Sequence, residues 1–210
     1  VMLGSCPAVG GYNIDQLSRG STDPYVPFNW VLDDIQNGYR LSGEAGKLYR
    51  LQAMTMSHGE ADQGRIHLGQ LTADQYITKL EALRLDVENE AKNRTNVNES
   101  LPMLMTQMTT KFGQYAEPLG APGGPNDEYP HIAVAQFNAC RTNPNFYLCC
   151  PLYIGTTADG AHMDGFSYRL FAGHYGILYK RIVIDGQRDY KFLQPTKITR
   201  QGKVILVEFH

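Results

Sequence analysis

The sequence predicts an α/β fold, a parallel sheet with helices on both faces. Three observations carry this. Short apolar runs alternate with longer stretches whose apolar residues recur at helical spacing. One of those stretches opens with a complete helix-start signal, Thr72-Ala73-Asp74-Gln75, a capping box. Residues able to do chemistry cluster in the loops after the apolar runs, where sites form in doubly wound folds.

The elements follow in chain order. Val1–Leu3 reads as the end of a strand, and Gly10-Gly11 and Gly20–Pro27 as loops. Trp30, Val31, Ile35 and Tyr39 lie at helical spacing, so a helix is expected from Phe28. Arg50–Ser57 reads as a buried strand. The capped helix carries Tyr76, Ile77, Leu80, Leu83 and Val87 on one face, and polar Asn93–Ser100 ends it. Leu101–Met108 is a strand, with Pro102 near its start where a missing donor is tolerated. Gly113–Asn126 is rich in Gly and Pro and reads as a long surface loop. Glu128–Arg141 reads as helix on Ile132, Val134, Ala135, Phe137 and Ala139. Phe146–Leu152 is a strand. Phe166–Ile184 is a helix with Leu170, Phe171, Tyr175, Leu178 and Ile182 apolar. Lys203–Phe209 is a last strand.

The 210 residues suffice for one domain with a sizeable core. A body over residues 1–190 is expected, with 191–210 a terminal strand segment leading into a following domain. The net charge of −2 carries no broad basic field for nucleic acid. No apolar run reaches the ~20 residues that span a bilayer. Four cysteines (Cys6, Cys140, Cys149, Cys150) form no Cys-x-x-Cys pair and match no zinc spacing, so buried free thiols are expected, with one disulfide as the alternative, and no metal.

Three segments are candidate chemistry. The Gly10-Gly11 turn offers backbone N–H groups to an oxyanion, though a Gly pair after a strand also serves as a plain turn. Ser57-His58-Gly59-Glu60-Ala61-Asp62 gathers three ionisable groups on one loop, or caps the next backbone amides. In Asp159-Gly160-Ala161-His162 a carboxylate three residues before a histidine can orient the imidazole as a base. The alternative is a capping Asp beside a surface His. Asp164 reads as the N-cap of the following helix.

These segments, in this order, resemble the SGNH (GDSL-type) hydrolases. The nearest branch is that of sialate O-acetylesterases and acetylxylan esterases, with related domains on phage tail spikes. The quoted matches are Ala8-Val9-Gly10-Gly11, His58-Gly59-Glu60-Ala61-Asp62, Tyr76, Leu101-Pro102 and Asp159-Gly160-Ala161-His162. The resemblance implies a flavodoxin-like three-layer sandwich and a serine carbohydrate O-acetylesterase with no cofactor. His162 would be the base and Asp159 its orienting partner. Gly10 or Gly11 would supply the oxyanion hole, with His58 and Glu60 lining the pocket. The family's Gly-Asp-Ser motif does not occur in the chain. The nucleophile is therefore expected upstream of Val1, the fold's first strand missing with it, and Ser5 is the alternative. An acetylated carbohydrate substrate, an extracellular or virion setting, and a homo-oligomer or longer parent chain complete the expectation. Two other readings stand beside it: an esterase for small acyl esters or lipids, and a non-catalytic glycan-binding or structural module.

Overall fold

The computed structural model describes residues 2–95, 97–109, 129–158 and 162–209. Three strands form a parallel sheet in the order β1 (Met54–Met56), β2 (Met103–Gln107), β3 (Phe146–Pro151). Met54 pairs with Met103, and Met103 with Phe146. β2 is central, and Met103, Leu104, Met105 and Thr106 are all buried, as a strand covered on both faces requires.

Among the described residues five helices precede β3: α1 (Ile14–Leu17), α2 (Pro27–Glu44), α3 (Glu60–His67), α4 (Ala73–Thr95) and α5 (His131–Thr142). Their apolar faces share one core with Met56, Met103, Met105 and Phe146. After β3, α6 (Gly165–Tyr179) runs into a π turn, Lys180–Ile184, and packs Leu178 and Ile182 on Leu104 and Tyr147, the opposite face. Strand order explains this division. Successive right-handed crossovers that step in one direction place their helices on one face, so the chain after β3 must supply the other cover.

Local chemistry sets the helix ends. Thr72 Oγ1 accepts from the Gln75 N–H at 3.2 Å and Gln75 Oε1 from the Thr72 N–H at 2.9 Å, closing the capping box. Asn13 and Gln16 make the same reciprocal pair at α1. Asp164 Oδ1 accepts from the Ser167 N–H at 2.7 Å and caps α6. On α4, Tyr76, Leu80, Leu83, Val87 and Ala91 are buried and Ile77 half-buried. The buried face of α2 is rotated from the expected one. Phe28, Ile35 and Gly38 face inward while Trp30 and Tyr39 are exposed. Gly38 allows the Tyr49 ring to lie where a Cβ would stand.

The structure corrects the expected fold. The SGNH resemblance requires one continuous parallel sheet. The described residues instead form two separate sheets, the second an antiparallel hairpin of β4 (Pro195–Gln201) and β5 (Val204–Phe209). The physical reason lies in the turn. Gly202, at φ 62°, with Lys203 closes a two-residue hairpin loop, so β5 pairs with its immediate neighbour at small loop-closure cost. Met2 and Leu3 are exposed and belong to no strand. His58–Asp62 is not all loop, because α3 starts at Glu60. Cys6 is exposed rather than buried. The expected loop at Gly113–Asn126 lies outside the described residues.

A buried ion network joins α4 to the start of β2. Arg84, 2% exposed, contacts Glu81, Glu88 and the Leu101 carbonyl. Glu88 also takes Lys92 Nζ at 2.6 Å and the Leu101 N–H at 2.8 Å. Burial works to raise the Glu88 carboxyl, but donation by Lys92, the Leu101 N–H and Arg84 outweighs it and holds the group below its ordinary value. A depressed carboxylate stabilises the fold above its unfolded value, ~4.3 for Glu, and that contribution is lost as pH falls through the folded value. Urea midpoints should therefore hold down to about pH 5 and decline below about pH 4. Glu88→Gln should shrink that decline; an acid slope identical in both proteins would refute the assignment.

Candidate functional site

The carboxyl ends of β1 and β2 carry a buried polar cluster. The chain leaves β1 through Ser57 and His58, turns at Gly59 and enters α3. Gly59 sits at φ 140°, and a Cβ there would lie 2.6 Å from Ile132 Cγ2 and 2.7 Å from Met108 Sδ. Only glycine suits both the backbone and the space. The turn aims His58 inward, where it is 8% exposed.

Both imidazole nitrogens of His58 are engaged. Nε2 lies 3.0 Å from the Tyr12 carbonyl and 3.6 Å from Asp62 Oδ2, two acceptors, so Nε2 carries a proton and donates. Nδ1 lies 3.2 Å from the Tyr76 hydroxyl, whose ring stacks parallel to the imidazole at 5.9 Å between centroids. Burial pushes the Tyr76 phenol far up, so its hydroxyl remains a donor. Gln136 on α5 ties the cluster together. Its amide donates to the His58 carbonyl at 2.7 Å and its Oε1 accepts from the Met108 N–H at 2.8 Å.

Asp62, fully buried, connects this cluster to the N-terminal turn. It accepts from the Ile14 N–H at 2.8 Å and from Arg65 at 2.9 Å. Arg65 and Lys79 both reach Asp15. Burial would raise the Asp15 carboxyl, yet donation from Lys79 and Arg65 lowers it. Tyr12 donates to Asp23, and that bond leads the rise of its phenol to about 12. Gln63 is buried too, accepting from the Ile132 N–H at 2.9 Å and donating to the Tyr129 carbonyl at 3.0 Å.

The structure thus brings two of the three sequence segments together. Gly10 and Gly11 are exposed and lie directly before Tyr12 and Ile14, the residues held by His58 and Asp62. Gly11 has φ 79°, while a Cβ on either glycine would meet nothing within 4 Å. Glu60 is half-buried at the start of α3, and its carboxylate has no partner among the described residues. Ser57 is exposed and its hydroxyl accepts from Thr106 at 3.1 Å.

The third segment lies in the connection between β3 and α6. A bridge between Thr157 and Met163 closes it, and the Ala158 N–H donates to the His162 carbonyl at 2.7 Å. His162 is exposed, and Asp159 lies outside the described residues. The Ser5 hydroxyl bonds Asp34 on α2. Among the described residues no Ser-His-Asp triad is assembled. With the sheet divided as well, the carbohydrate O-acetylesterase reading and its serine mechanism are withdrawn, together with the small-ester variant. His58, expected to line a pocket, is a strut between β1, α4 and the N-terminal turn. Tyr76 and Asp62 stood in the quoted motifs, but their buried bonding was not assigned. Gln136 was missed; its only sequence signal is a polar residue at i+4 from Ile132 and i−3 from Ala139 on the buried face of α5.

Among the described residues no group of three or more His, Cys, Asp or Glu side chains is placed to hold a metal ion, and no helix is long and apolar enough to cross a membrane. No protein-family model, curated protein or solved structure matches the chain.

Proposed function

We propose that this chain is an assembly module, an α/β body that joins a second copy of itself through the β4–β5 hairpin. The supporting observation is the exposed apolar face of that hairpin. Register places Ile198 opposite Val207, Arg200 opposite Ile205 and Pro195 opposite Phe209, all on one face. Ile198, Ile205, Val207 and Phe209 are 63, 64, 43 and 56% exposed. The other face carries the Lys197–Glu208 ion pair, with Thr199 opposite Leu206 and Gln201 opposite Val204, so it is mixed rather than apolar. Thr199 alone of the two strands escapes full exposure.

A two-stranded hairpin without cover is at best marginally stable in water. A ribbon that exposes this much apolar surface gains stability when its more apolar face is covered. A second hairpin fits that face well. Arg200 marks its tip end and Phe209 its base end, with Ile198, Ile205 and Val207 between. A two-fold axis through the centre lays each Arg200 over the partner's aromatic end and stacks the aliphatic residues on their own copies. This is the self-complementarity an isologous dimer requires.

Sedimentation equilibrium is the test. The wild-type chain should weigh as a dimer, and Val207→Lys as a monomer with an unchanged far-ultraviolet spectrum. A wild-type chain that remains monomeric at its highest soluble concentration, or a Val207→Lys chain that still dimerises, overturns the proposal.

A further inference from the structure

A second site lies at the root of the hairpin, away from the His58 cluster. The end of α5 and the segment leading into β4 border an open cavity of about 360 Å³. Asn138, Arg141 and Thr142 line it from the helix, and Lys191, Phe192 and Gln194 from the segment. The volume is within the range of small-molecule sites, ~300–1,000 Å³.

Its chemistry is one-sided. Arg141 and Lys191 bring two cations, and among the described residues no acidic side chain lines the cavity. Among the described residues neither cation has a carboxylate partner, whereas the buried Arg84 and the half-buried Arg65 are held in ion pairs. Arg141 stands in the last turn of α5, where a cation also complements the helix dipole. Lys191 is on no helix, so that account does not cover it. Phe192 meets Phe137 edge to face at 5.0 Å, and the Arg141 guanidinium stands 5.9 Å from the Phe137 ring. The cavity therefore has an aromatic wall, two cations at its rim, and amide and hydroxyl groups between them.

We propose that this cavity binds a small anionic ligand, a carboxylate or phosphate carried on a ring-sized body. Arg141 and Lys191 take the anionic group, the guanidinium by paired hydrogen bonds. The body lies against Phe192. The Asn138 and Gln194 amides flank the ligand and select its orientation.

Isothermal titration of the full chain with phenyl phosphate tests this, with inorganic phosphate and phenyl glucoside as the anion-only and ring-only arms. Phenyl phosphate should bind, each single-feature probe should bind roughly tenfold or more weakly, and added salt should weaken binding. Arg141→Gln and Lys191→Gln should each lower phenyl phosphate affinity roughly tenfold to a hundredfold. Both residues are exposed, so neither substitution threatens the fold. Absence of phenyl phosphate binding, binding indifferent to both substitutions, or phenyl glucoside binding as tightly as phenyl phosphate would overturn it.

Discussion

Gly59→Ala is expected to destabilise the protein by about 2–5 kcal/mol. The figure combines roughly 1–2 kcal/mol for an L-residue at positive φ with roughly 1–3 for forcing a methyl into a packed core. The methyl would meet Ile132 Cγ2 at 2.6 Å and Met108 Sδ at 2.7 Å. Both contacts belong to the layer that α5 and β2 press against the turn, so relief requires α5 to shift and Gln136 to lose its bond to the His58 carbonyl. Gly10→Ala is the control. Its Cβ meets nothing within 4 Å, and its cost should stay within about 0.5 kcal/mol. Urea denaturation at neutral pH measures both. Equal midpoints for the two variants would refute the interlock at Gly59.

Arg84→Met should cost about 3–5 kcal/mol, the range for leaving one partner of a buried ion pair without its counter-charge. Glu88 would keep Lys92 and the Leu101 N–H but lose the guanidinium that faces it inside the protein. The Leu101 carbonyl would lose its side-chain donor at the entry to β2. The double variant Arg84→Met/Glu88→Leu should recover most of the loss, because exchanging both charges for apolar groups of similar volume removes the buried carboxylate that lost its guanidinium partner. If the double variant is no more stable than the single one, packing of the arginine stem rather than charge pairing carries the network.

Much of the body was legible in the sequence because its signals are local. The capping box at Thr72 and the face of Tyr76, Leu80, Leu83 and Val87 follow from backbone geometry and helical period, and α4 occupies that stretch. The runs at Leu101–Met108 and Phe146–Leu152 became β2 and β3. Where amphipathic character was ambiguous the reading slipped. Trp30 and Tyr39 are apolar and helically spaced, yet the core chose Phe28, Ile35 and Gly38, since Gly38 allows Tyr49 to pack closely. Gln136, given no role by the sequence, took a core position where the Met108 N–H and His58 carbonyl needed partners inside the protein.

The candidate site shows the same limit. Motif order placed Gly10-Gly11 and His58–Asp62 near each other in expectation, and Tyr12 and Ile14 do meet His58 and Asp62. Whether a histidine is a free base or a strut depends on what meets each ring nitrogen, and the partners of His58 come from the N-terminal turn and from α4. The cations of the second cavity, Arg141 and Lys191, are 50 positions apart in number and carry no local signal that pairs them.

By itself, the sequence determined the alternation of helix and strand, the capped helix starts and the apolar run that became the central strand. These depend on residues within a turn or two of one another. Only the tertiary structure decided that the sheet has three strands with one antiparallel ribbon apart, that His58 is bound on both sides, and that β5 leaves an apolar face open. Those outcomes turn on long-range pairing and on the supply of hydrogen-bond partners from distant segments. A two-residue turn at Gly202 outcompeted the main sheet for the last strand because a short loop costs less entropy to close.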